Sequence, residues 1–517
     1  MKKLYALVIA IALFLIFLVL VVIPQQGGNV ASTQIFGDQL DKADPAYNES
    51  LPLQSVDLGT QGRSIIIAVV MLTHVLFTNL HLGGAWVAAI TESIAIRFTL
   101  QPYQRLTRSL TLFNVMLFSA GSTFAVGGML FFISLYPVFS SQIFHLYWWP
   151  FLAETVLFGI QILFLYGYWF SWGKISNRGH QFLGYGYAVA VFFQTLMINT
   201  VASGMLTPGE PAITWGASGI LTQTISGALA WWLNPTLLIL QLHRLFAAIS
   251  YVGFLLAMIA MFHYLDQKEW AAKRYWDWVG SYGIIWGLLG LIAQPAIGLV
   301  YMRAIVKNQP LAFTMIMLGS RAWEILLMVG LLAALFITII IYFLDRREPI
   351  LKRPENALIH RLFKVFLLLA GISGVILVQP AFLASGANPL GKMWFKFAAL
   401  FTLITIGSLM LGIDALMLGE FREAAWGNLS KVSRTAIMIA GVLGMWIVVV
   451  MGFVRESARA PWIIYGIIPV PGGQAAPTPI SPLTIFGVWL VVTLGSLLIF
   501  WFTSRVTASH PEKAEEM

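Results

Sequence analysis

Five ionisable residues lie within or beside long apolar stretches, and their types suit metal binding or proton transfer. They are His74, His81, His243, Glu154 and Glu456. An ionisable side chain inside a membrane is energetically costly, so each one raises a functional hypothesis. Neutral imidazole is a common ligand of haem iron, and a histidine held only by structural hydrogen bonds is the equal alternative. His81 follows His74 by seven residues, which places the two on one helix face.

A carboxylate, an arginine and a tryptophan stand close together in ESARAPW, residues 456–462. Glu456 could ligate iron, and the planar guanidinium of Arg459 could pair with a carboxylate of the cofactor beside Trp462. Pro461 is expected to end the helix because it lacks a backbone donor. The alternative is an aromatic belt with an ion pair at the membrane surface.

Other polar residues lie nearer to the ends of the apolar runs. Glu154 is expected close to an outer end, with Gln161 one heptad further on. It could relay protons, pair with an arginine or lie in the interface. Glu92 is expected to extend to the inner surface, and His180 and His263 are expected to be solvated or interfacial.

Transmembrane helices must position these residues. Of the 517 residues, 59% are hydrophobic and only 10% are charged, too few charges for the surface of a soluble domain. The apolar runs reach the roughly 20 residues that a membrane-crossing helix needs, and they lack the alternation of barrel strands. We therefore predict an all-α, polytopic bundle of about twelve transmembrane helices. The spans are expected at 4–22, 64–96, 109–137, 147–172, 181–204, 236–265, 277–302, 322–344, 361–381, 394–418, 435–455 and 482–503.

Charge and cysteine content limit the topology and the chemistry. Lysine and arginine collect in alternate turns, which predicts N-in and C-in topology. The same bias accounts for the net charge of +9 and leaves no reason to expect a nucleic-acid partner. The chain has no cysteine, which excludes disulfides, cysteine-ligated clusters and covalently attached c-type haem. Any redox cofactor must be held non-covalently.

The spacing in the second span resembles the first core helix of subunit I of cytochrome bd-type oxidases. In that family a histidine is followed by Leu-Phe, a glycine and a glutamate. His74, Leu76, Phe77, Gly83 and Glu92 reproduce this spacing without a gap. The resemblance implies a haem-binding helical membrane protein with His74 as an iron ligand.

Three further matches follow in the family's order. ESARAPW is similar to the family's Glu-x-Gly-Arg-Gln-Pro-Trp, with alanine at two positions. The segment from Asn234 through His243 to Gly253 resembles the helix that ligates the low-spin haem. Glu154 matches the first carboxylate of the family's proton path. The resemblance implies that His74 and Glu456 bind high-spin haem and that His243 binds low-spin haem.

The sequence also departs from the family pattern. Ile162 replaces the second carboxylate of the proton path. The family's Arg-x-Met, whose methionine ligates the low-spin haem, is Lys396-Phe397-Ala398 here, so Lys396 is the corresponding cofactor-binding candidate. A hydrophobic hairpin stands where the family has a long polar quinol-binding loop.

The resulting division of the chain has six parts. It comprises an N-terminal transmembrane anchor (1–24), an extracytoplasmic segment (25–62), the first six bd-like core helices (63–310), the hairpin (311–390), the last three core helices (391–503) and a cytoplasmic tail (504–517).

The resemblance implies a subunit of a bd-like terminal oxidase that reduces oxygen to water in the inner membrane of a prokaryote. Two or three non-covalent haems are expected, of b type and with d type left open. Expected partners are a second membrane subunit and a periplasmic or membrane cytochrome that donates electrons. One alternative is a haem electron-transfer subunit without oxygen reduction. The other is an ion-coupled transporter, which the absence of an inverted repeat disfavours.

Overall fold

The computed structural model describes most of the chain after residue 58. The described ranges are 59–208, 213–215, 221–223, 234–319, 321–380, 389–421, 426–459, 462–466, 468–469 and 482–515. The expected anchor at 4–22 and most of the segment that follows it lie outside these residues.

Eleven helices in the described part of the chain are long and apolar enough to cross a membrane. They correspond one by one to the eleven spans predicted after the anchor, which confirms the helical-bundle class. The N-in orientation stays a prediction. The long helices are α1 (Gly59–Phe98), α2 (Gln101–Leu135), α4 (Trp148–Phe170), α5 (Asn177–Leu206), α6 (Leu237–Asp266), α7 (Trp270–Asn308), α9 (Trp323–Arg346), α11 (Ala357–Leu377), α13 (Trp394–Phe421), α14 (Lys431–Arg459) and α15 (Pro482–Glu515).

Short elements join the spans. Two pairs of antiparallel strands were not expected from the sequence, and the second pair carries Trp462. The short helices are α3 (Pro137–Leu146), α8 (Pro310–Leu318), α10 (Glu348–Leu351) and α12 (Pro389–Lys392), with a 3₁₀ turn at Pro354–Asn356. The strands are β1 (Ile213–Trp215), β2 (Leu221–Gln223), β3 (Trp462–Ile464) and β4 (Ile468–Pro469).

The centre of the bundle is the close pair α6 and α7. A Cβ added at Gly253 would lie 2.1 Å from the backbone nitrogen of Gly287, so no larger residue fits without moving a helix. Gly253 therefore permits the close approach of the two helices. Helix α7 continues through Pro295, and α6 also packs against α1 and α14.

The hairpin of α9 and α11 is an integral part of the bundle. Helix α9 packs along α14, and α11 packs along α13. At the C-terminal end of α9, Arg346 donates to Asp277 of α7 at 2.7 Å, and Arg347 pairs with Asp414 of α13. All four side chains are buried, and loss of one member of such a pair costs about 3–5 kcal/mol. These ion pairs fix the hairpin to the core helices.

Candidate functional site

His74 of α1 is oriented by a backbone carbonyl. Its Nδ1 lies 3.1 Å from the Gly121 oxygen of α2, which fixes Nδ1–H as the donor and leaves the lone pair of Nε2 available. Gly121 permits this approach because a Cβ there would come within 3.2 Å of the Phe77 Cβ. A histidine that donates from one nitrogen to a carbonyl and ligates through the other is the usual arrangement at metal sites.

His81 lies on the same helix face, as the spacing predicts, but in a different environment. It is 6% exposed, and its Nδ1 lies 2.9 Å from the Tyr187 hydroxyl of α5. Phe118 meets its ring edge-on, and Nε2 is buried without a hydrogen bond from the described residues. Whether His81 contacts a cofactor stays a prediction.

His243 of α6 faces a glycine on α7. A Cβ at Gly298 would lie 3.5 Å from His243 Nε2, and the Tyr301 ring is 6.2 Å away. The Gln294 amide donates to the His243 carbonyl at 2.6 Å, which couples this turn of α6 to α7. No described residue hydrogen-bonds to the His243 ring, so the ring nitrogen that carries no proton is available to a ligand.

Arg244 connects the two histidine-bearing helices and was not recognised in the sequence. Its guanidinium donates to Thr78 at 3.0 Å and Asn79 at 3.2 Å on α1, and to Asn199 at 2.9 Å on α5. Thr78 and Asn79 inside the apolar run of α1 were the signal that could have revealed it. The network holds α1, α5 and α6 in register between His74 and His243.

Two residues of ESARAPW, Glu456 and Arg459, form an ion pair in which one side chain is exposed and the other is buried. Arg459 donates to Glu456 at 2.5 Å, but the Glu456 side chain is 60% exposed whereas that of Arg459 is 8% exposed. Arg459 also donates to the Ile463 carbonyl at 3.0 Å and contacts the Met205 sulfur at 3.3 Å. Arg459 thus holds the strand that bears Trp462. The second carboxylate oxygen of Glu456 is available to bind a ligand. Helix α14 ends at Arg459, two residues before Pro461.

A cluster of arginines surrounds Glu456. Arg455 lies in electrostatic range of Arg244, Arg459, Tyr301 and Tyr147, which belong to α6, α14, α7 and the α3–α4 turn. The structure gives Arg455 no hydrogen-bond acceptor among the described residues, and its side chain is exposed. A guanidinium that shares the Glu456 carboxylate with Arg459 suits a further anionic group such as a haem propionate. The sequence singled out Arg459 for that role and did not single out Arg455; both assignments stay predictions.

The hairpin reaches this cluster at the N-terminal end of α9. Arg321 donates to Glu324 of α9 at 2.6 Å, and Glu324 is 1% exposed. Ser457 lies within hydrogen-bonding range of Glu324, and both Arg321 and Glu324 are in electrostatic range of Glu456. The segment that differs from the family pattern therefore adds charged groups to the Glu456 surroundings.

Lys396 has a different set of partners from the one expected. Its ammonium donates to the carbonyls of Leu377, at 2.7 Å, and Gln379. These oxygens belong to the C-terminal end of α11, where a cation is favourable. This placement supports a structural role for Lys396, and its cofactor-binding role stays a prediction.

Glu154 of α4 accepts a hydrogen bond from Gln194 of α5 at 2.8 Å. Of the three roles considered for Glu154, pairing with an arginine is therefore not seen among the described residues. Gln161, one heptad further on, is 2% exposed, and its Oε1 has no hydrogen-bond partner there. The relay role of Glu154 stays a prediction.

Glu92, His180 and His263 are buried rather than solvated, which corrects the expectation for all three. Glu92 is 3% exposed and accepts from Tyr168 at 2.8 Å. His180 bonds to Glu92 through Nδ1, so the two groups satisfy one another. His263 stacks on Trp276 and bonds to Ser504 at 3.2 Å.

The residues present fit a haem. Within the described chain, no three His, Cys, Asp or Glu side chains gather to hold a bare metal ion. A haem iron needs only one or two protein ligands, because the porphyrin nitrogens supply the rest. His74 with Nε2 open, His243 opposite Gly298 and the exposed Arg455 beside Glu456 match the needs of iron, ring and propionate.

Comparison with known proteins decides the family. Residues 64–511 match the family model described as cytochrome bd terminal oxidase subunit I. The chain belongs to this family. The bd oxidase structure from Geobacillus thermodenitrificans shares the fold, with a TM-score of 0.52 and 17% sequence identity over 86% of this chain and 97% of that one. No curated protein matches the chain. Membership of the cytochrome bd family and the many spans make the protein a multi-pass membrane protein of a haem-binding family.

Proposed function

We propose that this protein is the haem-binding subunit of a bd-like terminal oxidase that reduces oxygen to water in a prokaryotic inner membrane. The observation that carries the proposal is the geometry of His74, whose Nδ1 is fixed by Gly121 and whose Nε2 remains open. Family membership supports the oxidoreductase class. Haem, when bound, supplies the iron that accepts electrons and binds oxygen.

The protein's own residues bind and orient in this proposal. His74 and Glu456 serve as iron ligands of high-spin haem, and His243 serves as a ligand of low-spin haem. Arg455 neutralises propionate charge, and Trp462 covers the outer side of the site. Arg459 and Arg244 are positioning residues, since each holds neighbouring elements through hydrogen bonds. Glu154 passes protons to the haem site.

Oxygen uptake with an artificial reductant tests the proposal. We expect the purified haem-loaded complex to consume oxygen when an artificial one-electron donor is supplied with ascorbate. Full haem loading with reducible haem but no oxygen uptake would favour the alternative, an electron-transfer subunit without oxygen reduction. A second membrane subunit is expected to co-purify.

The electron donor is predicted to be a cytochrome rather than a quinol. The α9–α11 hairpin packs on the core and offers few polar groups to orient a quinol headgroup. Two of its charged groups, Arg321 and Glu324, already pair with each other. We therefore expect a cytochrome on the outer side to donate electrons near His243. Turnover should be rapid with a reduced soluble cytochrome and slow with a soluble quinol. Fast quinol turnover that is blocked by a quinol-site inhibitor would refute this assignment.

A further inference from the structure

Helices α4 and α5 present matching polar residues at seven-residue intervals. The helices pack antiparallel, as shown by the contact of Gly184 with the Tyr168 ring and of Gly186 with the Phe164 ring. Residues seven apart lie on one helix face. Three rungs result, and from the inner end outward they are Tyr168 with His180, Gln161 with Tyr187, and Glu154 with Gln194.

The inner rung is a buried acid–base pair. His180 donates from Nε2 to the Tyr168 carbonyl at 2.9 Å and meets the Glu92 carboxyl through Nδ1, while the Tyr168 hydroxyl donates to the other Glu92 oxygen at 2.8 Å. The Glu92–His180 contact can hold one proton as a neutral acid with imidazole, or as carboxylate with imidazolium. One further proton converts the pair to a neutral acid with imidazolium.

Three buried polar atoms in or beside the middle rung have no hydrogen-bond partner among the described residues. Gln161 Oε1, His81 Nε2 and Trp86 Nε1 are all buried without a hydrogen bond there. The Tyr187 hydroxyl reaches His81 at 2.9 Å, and Trp86 packs against the apolar cluster that includes Tyr187. A buried unsatisfied polar atom costs about 1–3 kcal/mol. Such groups are the usual binding sites of buried water.

The outer rung ends at the carboxyl of Glu154, which Gln194 holds at 2.8 Å. His74 lies seven residues beyond His81 on the adjoining α1. The rungs therefore lead from the end of the bundle next to Lys174 and Arg178 towards the level of His74.

We propose that the Glu92–His180 pair takes protons up from the inner side and feeds the proton path that ends at Glu154. The inference deepens the proposed function and rests on it. A proton passes from the pair through water held by the middle rung to Glu154. The pair then regains a proton from the inner aqueous phase, so each transfer returns it to its starting state. Oxygen reduction consumes the protons that Glu154 delivers.

A purely structural role for the inner rung makes a different prediction. Glu92 would then only fasten α1 to α4 and α5, and its replacement would lower stability without slowing protons in the folded fraction. Ser93 is the matched control because it lies at the same depth of α1 and bonds Tyr185 at 2.9 Å outside the rungs.

The test compares Glu92→Gln with Ser93→Ala in the full complex reconstituted in vesicles. A pH dye measures proton uptake when the haem is chemically reduced, and a second assay measures oxygen uptake. Glu92→Gln should keep its haem spectrum but slow both rates by about tenfold or more, while Ser93→Ala should stay within about twofold of wild type. Wild-type rates in folded Glu92→Gln would overturn the proton path and leave the oxidase assignment intact.

Gln161 supplies an independent pair of variants if Glu92→Gln fails to assemble. Gln161→Leu removes the water-binding amide and should slow proton uptake by about tenfold, whereas Gln161→Glu keeps a polar group and should retain uptake. Equal uptake in the two variants would overturn the path. A wild-type protein that has haem but lacks oxygen uptake would instead contradict the proposed function. The proton-uptake assay would still test the proton path in that case.

Discussion

Replacement of His74 by alanine should remove one haem and abolish oxygen uptake. The imidazole Nδ1 is held by the Gly121 carbonyl, so its Nε2 is the open ligand position on this turn of α1. Alanine supplies no ligand, and the iron would lose its protein bond. We expect the haem-to-protein ratio from a pyridine haemochrome assay to fall by one, while the low-spin spectrum assigned to His243 persists. Turnover should fall by about 100-fold or more.

Two other histidines control this experiment. His81→Ala removes the nearest imidazole on the same helix and should leave the haem count unchanged. His145→Ala alters a histidine whose hydrogen bond within the described chain stays inside α3, to the Ser141 carbonyl at 2.8 Å. A folded His74→Ala protein with full haem content would contradict the assignment. Loss of haem from His81→Ala alone would move the ligand to His81.

Replacement of Glu154 by glutamine should slow turnover by about 100-fold, in the range for loss of a proton-transfer group. Glutamine keeps the shape and the contact with Gln194 but cannot carry a proton. Haem content and the optical spectrum should match wild type, because Glu154 is not a ligand in this account. Steady-state oxygen uptake with an artificial reductant measures the effect.

Thr155→Val is the matched control for Glu154→Gln. Thr155 is the next residue of α4, and its exposed side chain bonds only the Phe151 carbonyl at 2.9 Å. Its replacement should leave turnover nearly unchanged. Near-normal turnover of Glu154→Gln would show that protons reach the site by a route that avoids the outer rung.

Much of the fold could be predicted from the sequence because a membrane demands long apolar helices. All eleven spans expected after the anchor are present within the described residues. Hairpin helices α9 and α11 followed from apolar length alone. The strand pair β3–β4 could not be predicted, since short strands at a membrane surface have no comparable length or hydropathy signal.

The site was predicted less completely, because the spacing of residues along one helix does not show which residues of other helices they contact. The position of Glu92 suggested an interfacial carboxylate, yet Tyr168 and His180 from two other helices bury it. Lys396 matched a cofactor-binding position, yet the end of helix α11 supplies carbonyl partners to its ammonium. Arg455 stands beside a matched glutamate and gained significance only from its neighbours on other helices.

The central claim is that this chain holds haem through histidine and glutamate side chains inside a helical bundle. The most direct measurement is a reduced-minus-oxidised optical spectrum of the purified protein, followed by extraction of the pigment with acid acetone. The account predicts haem absorption bands and pigment that is fully extractable, since no cysteine is present for covalent attachment. A well-folded protein without haem bands, or one whose haem resists extraction, would contradict it.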